Sequence, residues 1–272
     1  MLKTRILTAL VLATLVVTGL FFFPPVLTAL ILGAFLVAGA WECSRLLGWT
    51  HTGARAIYTF IVAVAAVAVW QWNAAGNVFA PLLLTGLVWW VAAAGFVVAA
   101  QRQRLGGGIA VATNPLVGGV VLLPAWSAVV WLVRNDPAML LVLFLLIWTA
   151  DAAAYFVGKR WGRRRLALHV SPGKTWEGVA GGLGFGAAVA LGASAWMVFS
   201  TSAQIGFIVT GLFTIAASVV GDLFVSMLKR HVGLKDTGRI LPGHGGVMDR
   251  IDGLVAAAPV FAAGLYFWVS RL

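Results

Sequence analysis

Charged side chains are scarce in this 272-residue sequence, and their scarcity excludes an ordinary soluble domain. Asp, Glu, Lys and Arg make up 10% of the residues, whereas soluble domains carry about 25%. Hydrophobic residues make up 61%, and the mean hydropathy is +0.99. A membrane-spanning helix needs about 20 apolar residues. Uncharged stretches of at least that length occupy residues 6–41, 56–101, 105–133 and 178–221.

Other features that define common protein classes are also missing. Cys43 is the only cysteine, so the chain can form neither an intramolecular disulfide nor a thiolate metal cluster. Neither GxxxxGK[ST] nor GxGxxG occurs in the sequence, which excludes the soluble nucleotide-binding folds that carry these loops.

Helix-breaking and polar residues divide the uncharged stretches into seven predicted helices, and two further apolar stretches, near 138–158 and 253–271, bring the total to nine. Pro24 and Pro25 interrupt the first stretch, and polar segments at 71–77 and 199–204 interrupt two others. The predicted fold class is therefore all-α, a polytopic integral membrane protein. The second helix is the shortest and could be re-entrant. The helices are expected near 6–23, 26–41, 56–72, 80–100, 115–133, 138–158, 177–198, 205–228 and 253–271.

The basic residues predict the orientation of these helices. With nine spans, 17 of the 19 Lys and Arg residues fall on one side, which predicts a cytoplasmic N-terminus. The net charge of +11 thus reports topology, and the aromatic and basic interleaving typical of nucleic-acid binding is missing. Lys3 and Arg5 before an apolar stretch also resemble a signal peptide, but eight further spans favour a retained helix. We expect four spans in 1–110 and a catalytic domain of five spans, with two charged cytoplasmic loops, in 111–272.

The few acidic residues are not explained by topology. Only eight are present, and six of them fall in the last 122 residues. Asp151 and Asp222 lie inside predicted spans, where a charge costs about 2.5–3.5 kcal/mol, so each is a candidate functional residue. The alternative is a buried Asp that pairs with Arg to join two helices. Ser218, Ser226 and Lys229 share a helical stripe with Asp222, which favours a polar, functional surface.

The densest charged segment is KRHVGLKDTGRILPGHGGVMDRID, residues 229–252. Its five glycines and Pro242 make a permissive backbone whose amides, beside Lys and Arg, suit phosphate oxygens. Its carboxylates suit a hard cation such as Mg²⁺ that bridges those phosphates. A nucleoside triphosphate with a divalent metal satisfies both requirements.

A second charged segment is SPGKTWEG, residues 171–178. It places Ser171, Lys174, Thr175 and Glu177 around a Pro-Gly turn before an apolar helix, which predicts a helix start that faces an anion.

The segment 226–252 resembles the phosphatidate cytidylyltransferase family, the CDP-diacylglycerol synthases. It carries S, KR, KD, PxHGG and DRxD at the family's spacings, and SPGKTWEG is similar to another family segment except that Gly173 replaces a basic residue. The resemblance implies an inner-membrane enzyme, active on the cytoplasmic face, that converts CTP and phosphatidate to CDP-diacylglycerol and pyrophosphate. It also implies Mg²⁺, with a second metal ion left open, and a homodimer.

The resemblance also implies roles for individual residues. Asp222 and Asp249 are the expected metal ligands. The phosphate nucleophile is already anionic, so His244 suits a phosphate donor or loop organiser better than a base. The expected catalytic residues are Asp222, Lys229, Lys235, Asp236, His244, Asp249 and Arg250. The expected substrate-binding residues are Asp151, Ser171, Lys174, Thr175, Glu177, Ser226, Arg230, Gly245, Gly246 and Asp252.

Two other functions remain open at this point. A CTP-dependent polyprenol or lipid kinase would use the same substrate logic, and an ion-coupled transporter would use Asp151 and Asp222 near the midplane. A CDP-alcohol phosphotransferase is excluded because its DGxxAR…GxxxDxxxD pattern is absent.

Overall fold

The computed structural model describes residues 14, 16–74, 79–103, 108–197, 200–238, 240 and 245–267. These residues form nine numbered helices and one small hairpin. The helices are α1 (Pro25–Leu46), α2 (Thr52–Ala74), α3 (Phe79–Gln101), α4 (Gly108–Ala112), α5 (Pro115–Asn135), α6 (Pro137–Trp161), α7 (Trp176–Trp196), α8 (Thr201–His231) and α9 (Met248–Phe267). The hairpin pairs β1 (Arg165–Ala167) with β2 (Ser171–Thr175) in antiparallel fashion.

Eight of these helices are long and apolar enough to cross a membrane. The prediction of an all-α polytopic membrane protein is confirmed. Half of the first predicted helix, 6–23, lies outside the described residues, and its residues 16–22 are helical. The second is one continuous helix of 22 residues, about 33 Å long. It is therefore long enough to span the bilayer by itself.

Proline and short polar side chains define where several spans begin. The helices α1, α5 and α6 each have proline in the first turn, where its missing N–H costs nothing. Asn114 caps α5 by accepting a hydrogen bond from Leu116 N at 2.9 Å, and Asp136 caps α6 by accepting from Ala138 N at 3.0 Å. The carboxylate of Asp136 therefore has a structural role far from the charged loops.

The helix α5 is the centre of the bundle. Thirteen of its 21 residues are buried, and α1, α2, α3 and α9 all pack against it. A Cβ atom added to Gly86 of α3 would lie 2.8 Å from Pro124 Cβ of α5 and 3.3 Å from Pro259 Cβ of α9. Three helices thus meet at one glycine. The division into units 1–110 and 111–272 stays a prediction.

The helices α6 and α7 pack almost backbone to backbone. A Cβ on Gly178 would lie 2.8 Å from the carbonyl oxygen of Ala154, and one on Gly182 would lie 3.0 Å from that of Ala150. Small residues allow such close approach between membrane helices. The hairpin between these two helices, which the sequence did not predict, is thereby held against the end of the bundle, with Trp176 N donating to Arg164 O at 3.0 Å.

Candidate active site

The charged side chains meet at one end of the bundle, where α1, α6 and α8 end and α9 begins. Lys174, on β2, lies with its Nζ atom 2.5 Å from Asp222 Oδ2 on α8. Lys229, two turns further along α8, lies with its Nζ atom 2.7 Å from Asp249 Oδ1 at the start of α9. Two lysine–carboxylate pairs thus occupy adjoining positions, and three separate segments of chain supply them.

Asp222 is the more open of the two carboxylates. Its side chain is 34% exposed, and its Oδ1 atom accepts a hydrogen bond from Ser226 Oγ at 3.2 Å. It interacts electrostatically with Asp151 on α6 and with Asp252 on α9. Both of these carboxylates also interact electrostatically with Lys174. Asp151, Lys174, Asp222 and Asp252 therefore form one cluster, which the sequence had placed in distant segments.

Asp249 is enclosed and fully engaged. Its side chain is 8% exposed, and its Oδ2 atom accepts hydrogen bonds from Thr237 N at 2.8 Å and Gly246 N at 3.0 Å, with Thr237 Oγ also 3.0 Å away. Gly245, beside it, has a φ of +78°, which a residue with a side chain rarely adopts. The glycines of this loop thus serve to wrap backbone amides around one carboxylate.

The donor chemistry of this cluster fits a hard divalent cation. Asp222 and Asp249 offer only oxygen, the ligand type that Mg²⁺ prefers. Asp222 is accessible to solvent, and the Oδ1 atom of Asp249 is bound only by the Lys229 ammonium, which a cation at this oxygen would have to displace. Within the described ranges, no group of three or more His, Cys, Asp or Glu side chains lies close enough to hold a metal by itself. The remaining ligands would have to come from substrate phosphates or water.

In SPGKTWEG the structure brings only Lys174 into a contact with the charged cluster. The Thr175 side chain is buried and caps α7 by accepting from Gly178 N at 3.1 Å. Glu177 accepts from the backbone N–H of Arg164 at 3.2 Å, which fixes the hairpin to the helix start. Ser171 is partly buried at the start of β2. The predicted helix start is confirmed, and contacts of these residues with substrate stay predictions.

The other predicted residues lie around the rim. Lys235, Asp236 and Arg250 are exposed. Arg230 points away from the Lys229 stripe, because successive helical residues are about 100° apart. Its guanidinium donates to Leu234 O at 3.4 Å and lines a small cavity with His169. His244 lies outside the described residues.

Two residues of this region were missed by the sequence analysis, Glu42 and Thr237. Glu42, on α1, is 2% exposed, and its Oε2 atom accepts hydrogen bonds from Thr237 Oγ and Met248 N, both at 2.8 Å. The available signal was that Glu42 is the first acidic residue after a long uncharged stretch. The predicted helix ended at residue 41, which placed Glu42 in a loop. Thr237 carried no signal.

An apolar groove runs along α1 and α2 toward the charged cluster. Its volume is about 770 Å³. It extends along α1 from Val26 to Trp41, a rise of about 22 Å. Trp41 is the neighbour of Glu42, and Ile240 of the loop between α8 and α9 also lines the groove. The groove therefore connects the lipid-facing side of the bundle with the loop that surrounds Asp249.

Comparison with known proteins gives a consistent result along the whole chain. Residues 3–268 match the cytidylyltransferase family. The chain is 41% identical to a phosphatidate cytidylyltransferase of Pseudomonas aeruginosa, covering 98% of this chain and 97% of that protein. It is 37% identical to a phosphatidate cytidylyltransferase of Haemophilus influenzae, covering 99% and 100%. A protein of the same description from Bacillus subtilis is 44% identical over 46% of this chain and 45% of its own length.

Proposed function

This chain belongs to the cytidylyltransferase family, and we propose that its charged cluster transfers the cytidylyl group of CTP to phosphatidate, which yields CDP-diacylglycerol and pyrophosphate. The observation that carries this proposal is the meeting of two lysine–carboxylate pairs at the end of a membrane bundle. Such a site offers both charge signs that a metal–triphosphate requires, within reach of a lipid phosphate.

The reaction makes one phosphate oxygen of phosphatidate attack the α-phosphorus of CTP while pyrophosphate leaves. The nucleophile is already an anion, so the chief barrier is repulsion between two phosphates. Lys174 and Lys229, which reach the cluster from β2 and α8, can both donate to phosphate oxygens. The enclosed bonds of Asp249 keep the Lys229 ammonium oriented. Mg²⁺, held by Asp222 and Asp249, would supply further charge neutralisation and polarise the phosphorus.

The architecture supports a place for each substrate. A multi-pass protein with bacterial relatives of this kind is expected in the inner membrane, and the distribution of basic residues favours the cytoplasm as the side that faces the cluster. CTP would then reach the cluster from water, and phosphatidate would arrive sideways with an acyl chain in the groove of α1 and α2. A homodimer and a second metal ion remain family-level expectations.

The fate of labelled CTP tests this function directly. Purified protein with phosphatidate and Mg²⁺ should place labelled cytidine in the lipid fraction and release the γ-phosphate as pyrophosphate, and a chelator should abolish the transfer until Mg²⁺ is restored. Label from the γ-phosphate in the lipid would indicate a lipid kinase. Substrate flux into sealed vesicles without CTP, together with no cytidine transfer, would indicate a transporter.

Filling the apolar groove tests the route of the lipid. Ala63→Phe should raise the KM for phosphatidate by about ten-fold without changing the KM for CTP, because the larger side chain competes with an acyl chain. Ala68→Phe is the matched control, since Ala68 is an exposed residue of the same helix outside the groove lining. Equal KM values for phosphatidate in the two variants would contradict the assignment of the groove.

A further inference from the structure

Glu42 connects the first half of the chain to the loop that holds Asp249. It lies near the end of α1, and its Oε2 atom accepts a hydrogen bond from Met248 N, the first residue of α9, at 2.8 Å. The same Oε2 atom accepts from Thr237 Oγ at 2.8 Å. One buried oxygen thus binds the middle of the segment between α8 and α9 and the first residue of α9.

The contact continues from Thr237 to Asp249. The hydroxyl that lies beside Glu42 is also 3.0 Å from Asp249 Oδ2, and the Thr237 amide donates to that oxygen at 2.8 Å. Asp249 in turn binds Lys229 at 2.7 Å. A continuous chain of polar contacts therefore runs from α1 to a residue of the charged cluster.

We propose that Glu42 is a positioning residue of the cytidylyl transfer, which fixes the orientation of Asp249 through Thr237 and the start of α9. This inference rests on the proposed function for its effect on turnover, while its structural content stands on the contacts alone. Glu42 itself belongs to neither of the two lysine–carboxylate pairs.

The shape of the loop supports this assignment independently of the hydrogen bonds. A Cβ atom on Gly238 would collide with Glu42 Oε1, and one on Gly246 would collide with Thr237 Oγ and with Glu42 Oε2. Neither glycine has a positive φ, so the backbone conformation does not by itself require glycine at these positions. The Glu42 carboxylate and the Thr237 hydroxyl bound to it therefore occupy the space that a side chain at 238 or 246 would need.

A role in helix packing alone does not account for a carboxylate here. Burying a polar group costs free energy unless hydrogen bonds replace its water. An apolar side chain would join α1 to α9 without that cost, as Gly39 and Ile251 already do one turn away, where an added Cβ would lie 3.0 Å from Ile251 Cδ1. Glu42 Oε1 has no hydrogen-bond partner among the described residues. The two hydrogen bonds that Oε2 accepts thus offset the cost of burying the carboxylate.

Turnover by two variants of Glu42 forms the first test. Glu42→Ala should lower kcat by about 100-fold, because a displacement of about 1 Å at a reacting group has an effect of that size. Glu42→Gln should keep most of the wild-type kcat, since the glutamine amide oxygen can accept the same two hydrogen bonds. Ser44→Ala is the matched control: Ser44 is equally buried on α1, but its hydroxyl contacts Trp41 O and Arg55. Equal losses in the Gln and Ala variants, or no loss in either, would overturn the proposal.

Amide hydrogen exchange gives a readout that does not depend on activity. Glu42→Ala should accelerate exchange in peptides that contain Thr237 and Met248, and Ser44→Ala should not. Unchanged exchange in these peptides would overturn the proposal, and so would faster exchange throughout the bundle with a lower melting temperature, which indicates a general structural role. If the wild-type protein transferred no cytidine, the proposed function would fail while this measurement would still decide whether Glu42 holds the loop.

A double-mutant cycle tests whether Glu42 acts through Thr237. Thr237→Val removes the hydroxyl that lies between the two carboxylates and keeps the backbone N–H. If the effect passes through this hydroxyl, Glu42→Ala combined with Thr237→Val should reduce kcat by clearly less than the product of the two single effects. Independent, multiplicative losses would show that the two residues act separately and would overturn the proposed route.

Discussion

Replacing Asp222 with asparagine should reduce the rate of CDP-diacylglycerol formation by roughly 1,000-fold while the protein still inserts and purifies normally. Asparagine has nearly the same shape and can still accept the hydrogen bond from Ser226, but it removes the negative charge that faces Lys174. Because the Asp222 side chain is one-third exposed, the lysine it leaves can be solvated and the fold should tolerate the change.

The measurement is a cytidine-transfer assay across Mg²⁺ concentrations, accompanied by thermal unfolding. Asp136→Asn is the matched control, because Asp136 caps α6 away from the cluster and asparagine is an equally good cap. We expect wild-type turnover and unfolding from that control. Near-wild-type turnover in Asp222→Asn would refute the role of Asp222 as a metal ligand.

Replacing Asp249 with asparagine should abolish transfer as well, but with a loss of stability that the Asp222 variant does not show. Lys229 and Asp249 have side chains only 11% and 8% exposed. Removing one member of a buried ion pair leaves the other charge without compensation, at a cost of about 3–5 kcal/mol. The melting temperature should therefore fall together with the activity.

A double variant separates the two effects of Asp249. Combining Lys229→Met with Asp249→Asn removes both charges, and replacing a buried ion pair with uncharged groups is often nearly neutral for stability. The double variant should therefore regain much of the melting temperature and none of the activity. Recovery of cytidine transfer in the double variant would show that Asp249 serves only to neutralise Lys229.

The helices could be predicted from the sequence because the bilayer leaves few alternatives. A segment inside the lipid must satisfy its own backbone hydrogen bonds, so an uncharged stretch between prolines forms a helix. The helix predicted at 115–133 is Pro115–Asn135 in the structure, and the helix predicted at 177–198 is Trp176–Trp196. The helix at 115–133 could be predicted from its own residues alone. The end of α1 could not be predicted in this way, because Glu42 stays helical where partners from distant segments bind one oxygen of its carboxylate.

The types of charged side chain in the site could be predicted from the sequence, but which of these side chains pair with each other could not. The stripe of Asp222, Ser226 and Lys229 followed from helical periodicity, and Ser226 does contact Asp222. Periodicity could not reveal that Lys229 binds Asp249 or that Lys174 reaches Asp222. The Lys174–Asp222 pair depends on how α6, α7 and the hairpin pack together; the spacing of Gly178 and Gly182 allows close helix packing but does not identify the partner helix. The hairpin that carries Lys174 is likewise too short to have a periodic signature.

The bond between Glu42 and Met248 joins positions 206 residues apart. During synthesis α1 leaves the ribosome long before α9, so the Glu42 carboxylate lacks both of its hydrogen-bond partners until Thr237 and Met248 have been made. Until α9 is made, the charged cluster lacks Asp249 and Asp252. We therefore expect the site to assemble late in biogenesis, when α9 docks against a helix that was inserted near the beginning.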